Sequence, residues 1–97
     1  MRLDLFLKKT HLVRQRHLAK VLCDGGAVHV NDRRAKPSQE VRPGDRIYLR
    51  LPRRDLEVRV LELPHGNVSR RIASELVEIL QDTPADRVGR VFEGLDD

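Results

Sequence analysis

Residues 2–31 read RLDLFLKKTHLVRQRHLAKVLCDGGAVHVN, and the spacing of their apolar side chains decides the fold. Two groups of apolar residues recur at the i, i+3 and i+4 positions of a helix that buries one face. The first helix is predicted to end near Thr10. The second is predicted to end at Gly25-Gly26, because glycine readily adopts the positive φ that ends many helices. The apolar residues of the two helices are Leu3, Phe6, Leu7, Leu18, Val21 and Leu22.

After residue 26 the apolar pattern changes to the alternation that is typical of short strands. The predicted strands are residues 27–30, 46–51 and 56–63, and the predicted turns or loops between them are Asn31-Asp32, Val41–Asp45 and residues 52–55. Residues 33–38 are too polar and too interrupted by proline for a central strand, so we expect an extended loop there. The sequence therefore predicts an α+β fold in which two short helices pack on a small, mostly antiparallel sheet.

A third helix is predicted near the C-terminus, over residues 69–81, with Ser69 as its N-cap and Pro84 as a stop. Its apolar stripe consists of Ile72, Ala73, Leu76, Val77 and Leu80. The predicted organisation of the chain is a domain over residues 1–63, a linker and C-terminal helix over residues 64–83, and a flexible acidic tail over residues 84–97.

Basic residues are concentrated in the first 60 positions. Residues 1–60 carry 15 Lys and Arg against 7 Asp and Glu, whereas residues 61–97 carry 4 against 8. This asymmetry is typical of a protein that binds a polyanion. Solvated surface charge is the alternative, but it accounts poorly for five basic residues within residues 8–20 and no acid within residues 5–23. The candidate RNA-binding residues are Arg2, Lys8, Lys9, Arg14, Arg16, Lys20, Arg33, Arg34 and Lys36.

Folded RNA is the polyanion that the composition favours. Aromatic residues make up only 3% of the chain, so stacking of single-stranded bases is a poor option. Only Gln15 is available to read base edges from a helix-turn-helix on duplex DNA. Recognition by shape and phosphate contacts remains, and it suits folded RNA. Two other hypotheses stay open, namely a DNA-binding regulatory protein and a protein-interaction module that uses residues 69–81.

The sequence indicates no catalytic or metal site. The four histidines lack the spacing of metal ligands, and Cys23 is a single thiol in an apolar stretch. No glycine-rich phosphate loop is present, so no cofactor is expected. Charged residues interrupt the first apolar stretch, and no apolar run is long enough to cross a bilayer. We therefore expect a non-enzymatic, cytoplasmic protein without a membrane partner.

A series of ordered motifs runs through the first 60 residues: Arg2-Leu3-Asp4, Phe6-Leu7, Arg14–Arg16, Leu18-Ala19, Gly26, Val28–Asn31, Lys36–Ser38, Val41 and Gly44-Asp45. Together these motifs resemble the S4 RNA-binding domain, and within it the RqcP family, followed by the small heat-shock S4 protein of free large ribosomal subunits. Two positions depart from the family pattern. Asp32 stands where glycine commonly follows Asn31, so the turn must either accept an aspartate with positive φ or differ slightly, and Leu76 stands near a common tyrosine.

The resemblance implies a role on the large (50S) ribosomal subunit in ribosome-associated quality control. RqcP-type proteins hold the peptidyl-tRNA of stalled, split ribosomes while the RqcH factor adds C-terminal alanine tails. The implied partners are therefore 23S rRNA, peptidyl-tRNA and RqcH, with the chain acting as a monomer. Arg2 and Arg16 are implied to be the main RNA contacts, and Asp4 is implied to be structural and paired with a nearby arginine. The alternative within the resemblance is a heat-shock-type protein that rescues large subunits blocked by nascent chains.

Overall fold

The computed structural model describes residues 1–87 and shows helices packed on a five-stranded antiparallel sheet with the strand order β2-β1-β3-β4-β5. In chain order the elements are α1 (Leu3–Lys9), α2 (Arg16–Asp24), β1 (Val28–Val30), β2 (Arg33–Arg34), β3 (Arg46–Arg50), β4 (Arg54–Val60), α3 (Arg70–Glu75) and β5 (Val77–Pro84). The arrangement confirms the predicted α+β fold class.

The two N-terminal helices form where the apolar spacing predicts them. Leu3, Phe6 and Leu7 lie on the buried face of α1 and are completely shielded from solvent. The helix ends at Thr10, whose hydroxyl donates a hydrogen bond to the carbonyl of Phe6. Helix α2 is followed by Gly26 with a φ of 77°, a value that a residue with a side chain adopts at a cost. Both helix ends therefore follow from local sequence.

Strands β1 and β2 form a tight hairpin at one edge of the sheet. The turn residues Asn31 and Asp32 have φ angles of 51° and 71°, which Asn and Asp tolerate better than most residues. This turn reverses the chain so that Arg33 and Arg34 pair with β1. The predicted extended loop over residues 33–38 is therefore wrong for these two residues, whereas the expected positive φ at Asp32 is confirmed.

A single apolar core lies between the helix pair and one face of the sheet. Buried and less buried residues alternate along β3 and β4, because successive side chains of a strand point to opposite faces. The core residues of the sheet are Val28, Val30, Ile47, Leu49, Leu56, Val58 and Val60, and those of the helices are Leu3, Phe6, Leu7, Ala19, Leu22 and Cys23. The opposite face carries polar side chains such as Tyr48 and Glu57, which are partners in the β3–β4 register.

The C-terminal helix is shorter than predicted. Ser69 caps it as expected, because its hydroxyl oxygen accepts a hydrogen bond from the amide of Ile72 at 3.2 Å, but the helix ends at Glu75. Residues 77–84 form strand β5 along the outer edge of β4, so the predicted helix over residues 69–81 is wrong beyond Glu75. The long-range backbone pairing with β4 outweighs the local helical spacing. Ile79, in the middle of this strand, is 54% exposed.

The predicted acidic tail falls largely outside the described residues. Pro84 still belongs to β5, and the amides of Ala85 and Arg87 donate hydrogen bonds to the carbonyls of Arg53 and Pro52. Residues 88–97 lie outside the part of the chain that the structure describes. The predicted divisions after residues 63 and 83 stay predictions.

Candidate nucleic-acid interface

The buried carboxylate of Asp4 holds two arginines at the start of the two N-terminal helices. Asp4 Oδ1 and Oδ2 accept hydrogen bonds from Nε and Nη2 of Arg2, each at 3.2 Å, and Oδ1 also accepts one from the amide of Leu5 at 2.8 Å. Arg16 places its Nε 3.2 Å from Oδ2. The Asp4 side chain is fully buried, whereas the side chains of Arg2 and Arg16 remain 47% and 42% exposed. One carboxylate therefore positions two guanidiniums that still face solvent.

The charge on Asp4 is stabilised by its partners. Burial of the side chain favours the protonated form and raises the pKa. The side chains of Arg16 and Arg2 and the amide of Leu5 act in the opposite direction and hold the pKa of Asp4 below its ordinary value of 3.8. Asp4 is therefore ionised at neutral pH, and the cluster of two guanidiniums and one carboxylate keeps one excess positive charge. The expected pairing of Asp4 with a nearby arginine is confirmed.

The loop after β2 connects the second group of predicted basic residues to this cluster. The amides of Leu3 and Asp4 donate hydrogen bonds to the carbonyls of Gln39 and Pro37, at 2.8 and 3.1 Å. Lys36 precedes Pro37 and has an exposed side chain. These backbone bonds hold the loop against the start of α1, so the backbone next to Lys36 lies beside Asp4 although the two residues are distant in sequence.

Arg34 links β2 to the end of α2. Its Nη2 donates a hydrogen bond to the backbone carbonyl of Asp24 at 2.6 Å. A pocket of about 470 Å³ lies between the end of α2 and the chain segment that follows β2. Its lining residues are Cys23, Asp24, Arg34, Ala35, Lys36, Pro37 and Ser38. Sequence reasoning missed this pocket, because the two segments that form it approach each other only in the folded chain.

Lys9 and His11 bind the linker that precedes α3. Lys9 Nζ donates a hydrogen bond to the carbonyl of Gly66 at 2.9 Å, and His11 Nε2 lies 2.8 Å from the carbonyl oxygen of Val68. Lys9 therefore has a structural partner within the chain and is not brought into the Asp4 cluster. The other predicted site residues, all exposed, are Lys8, Arg14, Lys20 and Arg33.

The thiol of Cys23 is buried behind the pocket wall. Burial, together with the charges of Asp24 and Asp4, raises the pKa of Cys23 to about 12. Within residues 1–87, no group of three or more His, Cys, Asp or Glu side chains is arranged to hold a metal ion. No helix in this part of the chain has the length and apolar character needed to span a membrane.

Comparison with known proteins identifies the family. Residues 1–47 match the family described as S4 domain. The chain is 37% identical over 82 residues to the RQC P-site tRNA stabilizing factor of Bacillus subtilis (strain 168). The aligned residues cover 84% of this chain and 94% of that protein. The chain is 44% identical over 64 residues to the factor of the same name from Helicobacter pylori (strain J99), covering 66% of this chain and 76% of that protein. The chain belongs to the S4-domain family of RQC P-site tRNA stabilizing factors.

Solved structures support the S4 assignment. The Vibrio cholerae heat shock protein 15, described as trimeric, superposes with a TM-score of 0.77 at 30% identity. The superposition covers 81% of this chain and 80% of the heat shock protein 15 chain. A protein described as hypothetical protein HP1423 superposes with a TM-score of 0.71 at 36% identity. The superposition covers 84% of this chain and 98% of the HP1423 chain. The predicted S4 and RqcP resemblance is confirmed. The matched S4 segment contains all nine predicted basic residues and ends within β3.

Proposed function

We propose that this chain is a non-catalytic, cytoplasmic RNA-binding protein that acts on the large (50S) ribosomal subunit in ribosome-associated quality control. It contacts 23S rRNA and the peptidyl-tRNA of stalled, split ribosomes, and it acts as a monomer beside the RqcH tailing factor. The proposal is supported by the family of the chain and by one observation in particular. Arg2 and Arg16 are held by a buried carboxylate and remain about half exposed, which is a suitable arrangement for phosphate binding.

The binding mechanism follows from the geometry of the Asp4 cluster. A free arginine loses side-chain entropy when it orders on a phosphate, whereas Arg2 and Arg16 are already held by Asp4 before RNA arrives. Each phosphate contact also releases condensed counter-ions, so affinity falls steeply with salt. Folded RNA bound in this way is retained in one position. Retention of a tRNA on the large subunit requires no bond to be made or broken by the protein.

Reversal of the charge on Arg16 tests the proposal. Arg16→Glu places a second negative charge beside Asp4, so both the cluster and its phosphate contacts are lost. We expect at least a tenfold loss of co-sedimentation with large subunits carrying peptidyl-tRNA. Arg71→Glu is the matched control, because Arg71 is exposed on α3 outside the S4 match and the charge change is the same. Equal co-sedimentation of the two variants would contradict the proposal.

The heat-shock-type role is the second candidate, and the TM-score of 0.77 to Vibrio cholerae heat shock protein 15 favours it. Both roles place the protein on the large subunit, so binding alone does not separate them. Deletion of the protein separates them. Loss of C-terminal tails on stalled nascent chains supports the quality-control role, whereas accumulation of blocked large subunits with normal tailing supports the heat-shock role. A duplex DNA competitor that displaces the RNA would favour the DNA-binding alternative instead.

A further inference from the structure

The pocket between α2 and residues 34–38 has the size of a small-molecule site. Its volume of about 470 Å³ falls within the roughly 300–1,000 Å³ that is usual for such sites. The end of α2 forms one wall and residues 34–38 form the other. The 2.6 Å hydrogen bond from Arg34 Nη2 to the Asp24 carbonyl joins the two walls. The pocket is therefore formed before a ligand binds.

The pocket adjoins the Asp4 cluster. Pro37 lines the pocket, and its carbonyl accepts the hydrogen bond from the amide of Asp4 at 3.1 Å. An RNA strand whose phosphates contact Arg2 and Arg16 therefore passes close to the pocket. A nucleotide that leaves the stack of such a strand has a cavity beside it to enter.

The lining offers different surfaces to the phosphate and to the base of a nucleotide. The exposed side chains of Arg34 and Lys36 provide positive charge for a phosphate. Pro37, which is half-buried, provides carbon surface on which the flat face of a base can pack, whereas Cys23 and Ala35 are buried. An aromatic platform is not needed for this contact, because burial of the base between apolar groups excludes water from its face.

Asp24 is the acidic residue among those that line the pocket, and its position is not explained by the stability of the helix. It is the last residue of α2, where the helix dipole disfavours a negative charge. Among residues 1–87, its carboxylate forms no ion pair, and Arg34 binds its backbone carbonyl instead. A carboxylate in a cationic pocket repels phosphate but accepts hydrogen bonds from the amino group of a base such as cytosine.

We propose that this pocket receives one unpaired nucleotide that projects from the bound RNA, with an amino-bearing base directed at Asp24 and its phosphate at Arg34 and Lys36. The inference rests on the proposed function, because it names the feature of the RNA that the same interface selects. It explains how a surface poor in aromatic residues distinguishes folded RNA with a projecting base from a regular duplex.

The first experiment fills the pocket without changing its charge. The probes are a fluorescein-labelled RNA hairpin with one bulged cytidine and the same hairpin without the bulge. We expect the wild-type protein to bind the bulged hairpin at least about fivefold more tightly, since burial of about 40 Å² of apolar base surface contributes that much. Ser38→Leu, which narrows the pocket without adding an aromatic platform, should reduce the preference, whereas the matched variant Ser74→Leu, on exposed α3, should retain it.

The outcomes separate this inference from the proposed function. If the wild-type protein binds both hairpins equally tightly, the proposal that the pocket receives an unpaired nucleotide is overturned, whereas the proposal of RNA binding is not. An undiminished preference in Ser38→Leu also overturns the pocket proposal. Failure of the wild-type protein to bind any hairpin or large subunit overturns both proposals.

The second experiment tests the role of Asp24 in a variant that keeps the fold. Asp24→Asn removes a negative charge from the C-terminal end of α2, so the melting temperature should stay the same or rise. The wild-type protein should prefer a bulged cytidine to a bulged uridine, which lacks the amino group. Asp24→Asn should reduce the preference for a bulged cytidine over a bulged uridine and should retain the preference for a bulged hairpin over one without a bulge. Equal binding of cytidine and uridine bulges by the wild-type protein overturns the assignment of Asp24.

Discussion

Replacement of Asp4 by asparagine tests whether Arg2 and Arg16 act as positioned groups or only as charges. Asparagine keeps the size of the side chain and an acceptor for the amide of Leu5, but it removes the charge that both arginines share. Because both arginines are about half exposed, solvent offsets part of the loss, and we expect the free energy of unfolding to fall by about 2 kcal/mol. For a chain of this size the melting temperature then falls by about 8–16 °C.

The effect of Asp4→Asn on RNA affinity distinguishes the two possibilities. If only the total charge matters, the substitution adds one positive charge and strengthens binding to a polyanion. If positioning matters, each released guanidinium must be ordered again on binding, at about 0.5–1.5 kcal/mol per side chain. Two such side chains weaken binding by roughly 5- to 150-fold. We expect the weaker binding.

Fluorescence anisotropy with a labelled RNA hairpin, at one salt concentration and well below the melting temperature of the variant, measures this difference. Asp86→Asn is the control, because Asp86 is exposed and its substitution adds the same charge at a site distant in sequence from Arg2 and Arg16. The control should bind slightly more tightly than the wild-type protein. Binding by Asp4→Asn that matches or exceeds that of the control would refute the positioning argument.

Two further predictions concern ionisation. The pKa of Asp4 is lowered in the folded chain, so its contribution to stability is complete above the ordinary value of 3.8 and is lost as the pH falls below it. In urea unfolding, the difference in the free energy of unfolding between the wild-type protein and Asp4→Asn should be constant from pH 7 to about pH 5 and should shrink in more acidic buffer. A difference that stays constant down to about pH 2.5 would contradict this prediction. The pKa of Cys23 is raised to about 12 by burial, so an aromatic disulfide reagent at about pH 8 should label the native protein slowly and the urea-unfolded protein quickly. Rapid labelling of the native protein would show that the thiol is accessible.

The parts of the fold that depend on local signals could be predicted from the sequence. Helices α1 and α2 follow from apolar spacing and from the glycines after residue 24, and the Ser69 cap follows from the residue type. Strand β2 was missed because its pairing with the adjacent β1 depends on the geometry of the turn between them, and β5 was missed because its partner β4 is distant in sequence. The β2 pairing requires a turn with two positive φ angles, and β5 requires the free edge of β4.

The candidate site likewise combines features that the local sequence indicates with features that depend on tertiary packing. The concentration of basic residues in the first 36 positions can be read directly from the sequence. The pairing of Asp4 with a nearby arginine was implied only by the family resemblance, and the structure identifies Arg2 as one of its partners. The convergence of Arg16 on the same carboxylate, and the use of Lys9 to hold Gly66, depend on how the helices and the linker pack. Composition indicates which residues are basic, and tertiary contacts decide which of them remain available to a ligand.

Strand β5 determines how far the chain can be shortened. It covers β4 from Arg54 to Val60, whereas the S4 match ends at residue 47 and the predicted domain ends at residue 63. A fragment cut at residue 63 would lack β5 and leave the outer backbone groups of β4 unpaired, and a fragment cut at residue 47 would end within β3 and lack β4 as well. Uncovered edges of this kind template pairing between molecules and lead to aggregation. A minimal fragment for isotope labelling or crystallisation should therefore extend through Arg87, whose amide donates a hydrogen bond to the carbonyl of Pro52.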